Sequence, residues 1–389
     1  MGKNTPKLTE REVLDQARTE LQEQVPLTAD GYLCTPAELW NVLLGTAANA
    51  GTLEQVCQDL IGAPSAAAVR GYVNAQWQAD ALPYLERQLN RGLASQVPAR
   101  VRWEARDLAC DFHDQAYYGK TPQAEGLWIR AEAKDGTTRF YRVATAYVNV
   151  HPWRVTLAVC FVHPTDSAVD VLNALLTRVQ SLKIKVKTLT LDRGFASVAV
   201  IRCLKRWRLP AIIACPIRGK QGGTRALCRG RASYRTQYTF QSPELGEETA
   251  PVAICRVFTT ARRTGRGTRR AEWMVFIVLR LTWPANRIRR HYRRRFGIES
   301  SYRCARRVRG WTTSPNPAYR FLLLALSFYL VNVWLRLRWW LAQVPRQRHR
   351  AVRAAHLRLV RFARFLRRAL EQHFGCLHEL VALTPQPVT

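Results

Sequence analysis

The chain has 389 residues, of which 47% are apolar and 23% charged, and this composition excludes a disordered chain. Lysine and arginine total 60 against 28 acidic residues, so the formal net charge is +32. Such a charge argues against an enzyme of small neutral substrates and predicts a polyanionic partner, either nucleic acid or an anionic membrane. The length predicts two or three domains.

The positive charge belongs to the second half of the chain. Residues 1–100 carry 8 basic and 11 acidic side chains, residues 101–192 carry 12 and 10, and residues 193–389 carry 40 and 7. Arginine greatly outnumbers lysine, which suits bidentate phosphate recognition but is equally explained by a codon bias towards arginine. The net charge of +33 on residues 193–389 is not explained by that bias.

The ten cysteines are scattered without a Cys-x-x-Cys pair, so we expect reduced thiols in a cytoplasmic protein and no zinc site. The first residues are too polar for a signal peptide. The apolar stretch Phe321–Leu335 is shorter than a membrane span of about 20 residues, and we interpret it as a buried core helix rather than a membrane contact.

Residues 1–100 have a helical pattern. Thr35 and Glu38 form a capping-box sequence with Pro36 at the first helical position. Further helices are predicted from Thr52 and over Ala66–Trp77. Helix, turn and helix suggest a DNA-reading motif, whereas the negative net charge favours a structural or dimerisation bundle, and both interpretations remain open.

From residue 107 the pattern changes to three strands, followed by helix, strand, helix and strand. This order predicts a mixed α/β sheet covered by helices. The strand sequences are DLACDFHDQAYY, RFYRVATAYVNV, WRVTLAVCFV, VKTLTLD and PAIIACPI, and the helices are Asp166–Leu182 and Ala196–Trp207.

The remaining segments are a β-rich part, a helix and a basic tail. Residues 219–275 read as a β-rich insertion with an arginine-rich tip, Pro284–Val308 as a helix, and Arg346–Leu370 as a basic amphipathic helix of the kind that binds nucleic acid or membranes. The predicted domains are a helical N-terminal domain for end recognition or dimerisation (1–100), a catalytic domain in two parts (101–218 and 276–345), the insertion (219–275) and the C-terminal helix (346–389).

Two aspartates stand at positions that suit chemistry. Asp192 ends a buried strand, and sites in α/β sheets cluster at the carboxyl ends of strands. Asp111 stands among apolar neighbours within the first strand, where a carboxylate is costly unless it is paired or bound to metal. The alternatives are a helix N-cap for Asp192 and a solvent-facing edge-strand position for Asp111. Asp107 and Asp114 are nearby rivals.

Glu299 is the one acidic residue among ten arginines between Arg287 and Arg309. Arg295, Glu299 and Arg306 share one face of the predicted helix, with Tyr292 one turn earlier. An intrahelical salt bridge with Arg295 is the structural alternative. Two strand aspartates and a helix glutamate are the hard oxygen ligands of a two-metal site for phosphoryl transfer with Mg²⁺ or Mn²⁺.

The motifs are similar to a known family. Tyr292, Arg295, Glu299 and Arg306 match the signature Tyr-x2-Arg-x3-Glu-x6-Lys, with arginine in place of the final lysine. With Asp111 in CDFHD and Asp192 in LDRGF, the chain resembles the DDE transposases of bacterial insertion sequences over roughly residues 105–345. The resemblance implies an RNase H-like mixed sheet with flanking helices and catalytic metal ligation by Asp111, Asp192 and Glu299.

The function expected from these features is transposition of DNA. The residues imply metal-dependent cleavage of phosphodiesters, with two Mg²⁺ or Mn²⁺ ions. The resemblance implies strand transfer, terminal inverted repeats, double-stranded target DNA, a homodimer on DNA, no membrane, and a nucleoid-associated prokaryotic protein. An RNase H-like nuclease that only hydrolyses, and a non-catalytic DNA-binding descendant of a transposase, remain alternatives.

The charge distribution places DNA on residues 193–389. We expect Tyr292, Arg295 and Arg306 to contact DNA beside the acids; the alternative for Arg295 and Arg306 is that they are fixed only by carboxylates. The arginines of the insertion tip are expected to bind phosphates, and the alternative for them is a solvated hairpin. The tip arginines are Arg262, Arg263, Arg266, Arg269 and Arg270.

Overall fold

A computed structural model describes residues 8–30, 34–119, 126–150, 153–260, 269–342 and 357–379. Within these ranges the side chains of residues 259, 260, 269, 270, 296, 298–300 and 342 are not described. The described chain divides into two compact units, one containing Met1–Gln96 and Arg303–Thr389 and the other Val97–Tyr118 and Gly126–Tyr302.

The first unit is helical. Its helices are α1 (Glu10–Gln24), α2 (Pro36–Asn49), α3 (Leu53–Asp59), α4 (Ala66–Gln76) and α5 (Leu82–Ser95) from the N-terminal part, and α10 (Pro317–Ala342) and α11 (Leu359–Phe374) from the C-terminal part. The predicted N-cap Thr35 accepts a hydrogen bond from the amide of Glu38, and Thr52 completes a capping box with Gln55.

The apolar helix α10 is a core helix, as its composition predicts. It packs on α2 and α5, and 94% of its most apolar stretch is buried inside the protein. Among the described residues it is the one helix long and apolar enough to cross a membrane by length and composition.

Helix α11 buries its apolar face against α1 and α2, so that face is already covered. Leu370, for example, lies 2.9 Å from a methyl group placed on Gly45 of α2. Arg361, Arg364 and Arg368 occupy the exposed face, as predicted, whereas residues 346–356 of the predicted basic helix lie outside the described part of the chain.

The described residues of the second unit form one sheet of nine strands. The strands are β1 (Arg106–Ala116), β2 (Ile129–Lys134), β3 (Thr137–Val150), β4 (Trp153–Val162), β5 (Val186–Leu191), β6 (Ala211–Cys215), β7 (Tyr234–Ser242), β8 (Gly246–Thr260) and β9 (Arg269–Leu279). Their order is β2-β3-β1-β5-β6-β9-β8-β7, with β4 also pairing with β3. Only the β1–β5 and β5–β6 pairs are parallel.

Helices cover both faces of this sheet. The helices of this unit are α6 (Ala168–Ser181), α7 (Val198–Trp207), α8 (Ala285–Tyr292) and the start of α9 (Gly297–Arg306). Helix α7 binds Glu248 of β8 through Arg202, while α8 packs against Ala253 and Cys255 of the same strand. Side chains alternate between the two faces of a strand, so residues 248 and 253, which are five positions apart, point to opposite faces. Helices on both faces confirm the predicted helix-covered α/β class.

Three expectations about the elements differ from the structure. The β-rich segment is present, but β9 pairs antiparallel with β6 and so continues the central sheet instead of standing apart from it. Strand β2 has no counterpart in the predicted order of elements, because the apolar residues of its alternating pattern are Ile129 and two alanines, and alanine is a poor strand former. The predicted helix Pro284–Val308 is interrupted by a 3-10 turn, Arg293–Phe296.

The division into units also differs from the predicted domain boundaries. Helix α10, expected in the second part of the catalytic domain, packs with the N-terminal helices, and so does α11. The reason is burial: α10 is apolar all round and α11 has a wide apolar stripe, so both need helical partners on their apolar sides. The roles assigned to these domains stay predictions.

Candidate active site

Asp111 and Asp192 are neighbours across two parallel strands. Cys110 of β1 pairs in register with Leu191 of β5, and each aspartate is the next residue along its strand. Adjacent strands lie about 4.8 Å apart, so the two carboxylates emerge side by side. Asp192 stands at the carboxyl end of β5, where sites in α/β sheets form.

The structural alternatives for the two aspartates are not borne out. Helix α7 is capped by Ser197, whose hydroxyl accepts a hydrogen bond from the amide of Val200, and Asp192 makes no side-chain cap hydrogen bond. Strand β1 lies between β3 and β5, so Asp111 is not on an edge strand. Its side chain is only 15% exposed.

The pKa of Asp111 is raised to about 6, mainly by burial and also by the negative charge of Asp192, although the Arg295 guanidinium and the amide of Phe112 act in the opposite direction. Phe112 and Phe195, each next to or near one of the aspartates in sequence, stack with ring centroids 4.6 Å apart. Phe112 directly follows Asp111 in β1, so the stack lies on the opposite face of the strand from the Asp111 side chain.

Arg295 bridges the two aspartates. Its Nη1 donates to Oδ2 of Asp111 at 2.9 Å, and its Nη2 donates to Oδ1 of Asp192 at 3.1 Å. The guanidinium is 10% exposed and lies 5.4 Å from the centre of the Tyr292 ring. Burial opposes the charge of Arg295, but Tyr292, Asp111 and Asp192 outweigh it and raise the pKa of the guanidinium.

Tyr292 lies under the site rather than on the protein surface. It is 2% exposed and packs against Phe276, and its hydroxyl lies 3.5 Å from Oδ1 of Asp192, at the outer limit of a hydrogen bond. Burial raises its pKa to about 12. As placed, Tyr292 supports Arg295 and Asp192, and its predicted contact with DNA is untested.

The 3-10 turn that presents Arg295 is held by residues of β3 and β4. The hydroxyl of Tyr147 donates to the backbone carbonyl of Arg295 at 3.0 Å. The guanidinium of Arg154 lies so close to Gly297 that a methyl group there would come within 1.9 Å of it. Thr145 and Tyr302 share a hydrogen bond of 2.8 Å. The sequence does not single out Thr145, Tyr147, Arg154 and Tyr302 as supporting residues, because their pattern marks them only as positions on a strand or a helix.

The third predicted acid, Glu299, belongs to α9, which begins two residues after Arg295. Its side chain lies outside the described part of the chain, so its approach to Asp111 and Asp192 stays a prediction. Among the described residues, no group of three His, Cys, Asp or Glu side chains is arranged to hold a metal ion.

The rival aspartates have other partners. Both carboxylate oxygens of Asp114 are held by Arg142 at 2.7 and 2.8 Å, and Asp107 faces His291 at 3.4 Å and Arg294 at 3.8 Å. Asp114 nevertheless lines the same cavity as Asp111 and Asp192, together with Asp166. The cavity has a volume of about 370 Å³.

The predicted DNA contacts are only partly visible. Arg306, the last residue of α9, is exposed. Arg262, Arg263 and Arg266 lie outside the described residues, and Arg269 and Arg270 are described only as backbone of β9, paired with the end of β8.

The donor set of the site fits a hard divalent cation in part. Carboxylate oxygens are the ligands that Mg²⁺ and Mn²⁺ prefer. Oδ1 of Asp111 accepts from the Phe112 amide and Oδ2 from Arg295, whereas Oδ2 of Asp192 accepts no hydrogen bond among the described residues. The oxygens required by a bridging ion are therefore present, but Arg295 now occupies the position between them.

Fold and site together define a helix-covered mixed sheet with paired aspartates on two adjacent parallel strands, Asp111 within β1 and Asp192 directly after the end of β5. The fold is similar to that of piggyBac transposase in the cryo-EM structure of its synaptic complex with hairpin DNA, with a TM-score of 0.55 and 10% sequence identity, covering 95% of this chain and 79% of that chain. No protein-family model and no curated protein sequence matches the chain.

Proposed function

We propose that this chain is a DNA transposase of the DDE type, which cleaves DNA at the ends of its element and joins the freed 3′ hydroxyl to target DNA. The observation that carries the proposal is that Asp111 of β1 and Asp192, directly after β5, lie side by side on neighbouring parallel strands and share one guanidinium, that of Arg295. The similarity in fold to piggyBac transposase, solved with DNA, supports the same class.

In this proposal Asp111, Asp192 and Glu299 hold divalent cations, Mg²⁺ or Mn²⁺. Such ions polarise the phosphate and activate the attacking oxygen. The chain's own part is to bring together acids from three separate segments. The net charge of +33 on residues 193–389 supplies the attraction for DNA, which binds as a duplex carrying the terminal repeats or the target. Assembly as a homodimer on DNA belongs to the same proposal.

The test uses DNA that carries the inverted repeats flanking the gene. With Mg²⁺ or Mn²⁺ the protein should nick or cut at the repeat ends and produce joined products with a plasmid target, and EDTA should abolish both. Cleavage without joined products would instead support a nuclease that only hydrolyses. Binding without cleavage under any divalent ion would support a non-catalytic DNA-binding protein.

Two asparagine variants separate catalytic from structural carboxylates. Asp192→Asn should abolish cleavage while binding to DNA stays intact or tightens, because one negative charge facing phosphate has been removed. Asp114 lines the same cavity, and the variant Asp114→Asn loses only the ion pair with Arg142. It is therefore the matched control and should still cleave DNA. Equal loss of cleavage in both variants would remove the assignment of Asp192.

A further inference from the structure

Three aspartates that line the site cavity, Asp111, Asp114 and Asp192, are paired with arginines in two different ways. Arg142 directs its Nε and Nη2 at the two oxygens of one carboxylate, Asp114, which is the ordinary bidentate pairing. Arg295 divides its two Nη atoms between two carboxylates that are 81 residues apart in sequence. In the proposed function, a divalent metal ion occupies this same position between the two acids.

Arg295 is also the one cation among the described residues within ion-pair distance of either acid. Two neighbouring carboxylates repel one another, and the repulsion is strong where burial lowers the effective dielectric constant. Asp111 is 15% and Arg295 10% exposed, so their mutual neutralisation is poorly screened by water. Without Arg295, no cation among the described residues would offset the repulsion between the two carboxylates.

We propose that Arg295 is an internal cation that holds Asp111 and Asp192 together in the metal-free protein and competes with a divalent metal for them. The inference rests on the proposed function in one respect, the assignment of the two aspartates as metal ligands. Arg295 is then a positioning residue, which keeps the acids in place until the metal arrives.

The surroundings allow the side chain to leave while the backbone stays. The carbonyl of Arg295 is fixed by the Tyr147 hydroxyl, and the next residue but one, Gly297, is packed against Arg154. Release therefore requires only new side-chain torsions in Arg295. The adjoining cavity of about 370 Å³, lined by Asp111 and Asp192, offers space for the exchange.

The test compares Mn²⁺ binding, measured by titration calorimetry above neutral pH, in three full-length proteins: the wild type, Arg295→Gln and the matched control Arg142→Gln. Removing the competitor should tighten Mn²⁺ binding about tenfold or more, the equivalent of one charge-assisted hydrogen bond. Arg295→Gln should also melt at a lower temperature without metal and recover most of the difference with Mn²⁺. Arg142→Gln should melt lower but bind Mn²⁺ as the wild type does.

A second measurement uses the wild-type protein and so does not depend on a variant that folds. Phenylglyoxal labels accessible guanidinium groups, and peptide mass mapping reports each arginine separately. Labelling of Arg295 should be slow without metal and rise several-fold with Mn²⁺, while labelling of Arg142 should not change.

Unchanged or weaker Mn²⁺ binding in Arg295→Gln, or labelling of Arg295 that ignores Mn²⁺, would overturn the inference and leave Arg295 as a fixed structural residue. Absence of Mn²⁺ binding in both the wild type and Arg295→Gln would overturn it as well. Failure of the proposed function is separate: it would appear as tight, Arg295-sensitive Mn²⁺ binding without any cleavage of DNA.

Discussion

The hydroxyl of Tyr147 on β3 donates a 3.0 Å hydrogen bond to the backbone carbonyl of Arg295, so the strand next to β1 fixes the turn that lies over the two aspartates. This bond joins a residue of the sheet to a segment 148 positions further along the chain. It restrains the position of Arg295 without touching either acid, and its removal is therefore a clean test of support to the site.

Tyr147→Phe should lower the free energy of unfolding by about 1 kcal/mol, because the partly buried carbonyl of Arg295 loses this hydrogen bond. It should also slow metal-dependent cleavage, since the turn over the acids is less restrained. Tyr329→Phe is the matched control: Tyr329 is buried and donates to the carbonyl of Ala17 at the same 3.0 Å distance, in the other unit. Chemical denaturation and cleavage rates would be measured, and a loss of cleavage in both variants would contradict a specific role for Tyr147.

Gly297→Ala should destabilise the protein by about 1–3 kcal/mol and reduce cleavage, because the added methyl group needs the space of the Arg154 guanidinium. Gly297 begins α9, which carries Glu299, so a shift of Arg154 or of the helix start reaches the third proposed acid. Gly71→Ala serves as the control, since nothing lies within 4 Å of its added methyl group and alanine favours a helix. Melting temperatures of both variants would show the contrast.

The stability of the protein should fall as the pH drops below the ordinary pKa of histidine, about 6.5, and His291 should account for part of this loss. Burial lowers the pKa of His291, and the charges of Arg294, Lys187 and Arg287 act in the same direction, while Asp107 opposes them. The folded state therefore binds the proton less readily than the unfolded chain, and stability increases with pH through this range. Melting temperatures of wild type and His291→Gln against pH would show a flatter profile for the variant.

Replacing the tip residues Arg262, Arg263 and Arg266 with alanine should weaken DNA binding at all sequences and lower the slope of log affinity against log salt by about 2–3 units. The control removes the same charge from the first hundred residues, by alanine at Arg11, Arg87 and Arg91, which are exposed on α1 and α5. That control should bind DNA with an unchanged slope. Equal slopes for the two triple variants would refute the assignment of phosphate binding to the basic half.

Point variants are the better test because the structure makes deletion of residues 1–100 unsuitable. Helices α10 and α11 pack against α1, α2 and α5. Without the N-terminal helices the buried apolar face of α11, with Leu366 and Leu370, would be exposed to water, as would much of α10. Loss of DNA binding in such a deletion would report unfolding and aggregation rather than loss of a contact.

The elements that sequence predicts well are those with a local signal. Thr35 before α2 is a cap whose hydrogen bond involves Glu38, three positions away, and the period of β1 and β3 is set by adjacent residues. The pairing of β9 with β6 could not be predicted, because the two strands are far apart in sequence and neither contains a signal for its partner.

The candidate site likewise combines residues that have a local sequence signal with features that have none. Asp111 and Asp192 were identified from strand ends and apolar neighbours, and the register of β1 and β5 places them side by side. The interruption of the helix at Arg293–Phe296 was missed because a run of arginines contains no helix breaker. A continuous helix predicts that Arg295 lies on the helix face that contacts DNA. In the structure its side chain instead donates hydrogen bonds to Asp111 and Asp192.

The dependence of the aspartate pair on Arg295 has a consequence for the order in which the chain can fold during synthesis. Strands β1 and β5 are complete once residue 191 has emerged, yet docking them brings two like charges together with no cation between them. Residues 293–296 follow about a hundred positions later and supply that cation. The growing chain therefore has a reason to leave the end of the β1–β5 pair open until the last part of the sheet unit has been translated, and a ribosome-bound fragment ending before residue 293 should show a loosened β1–β5 end.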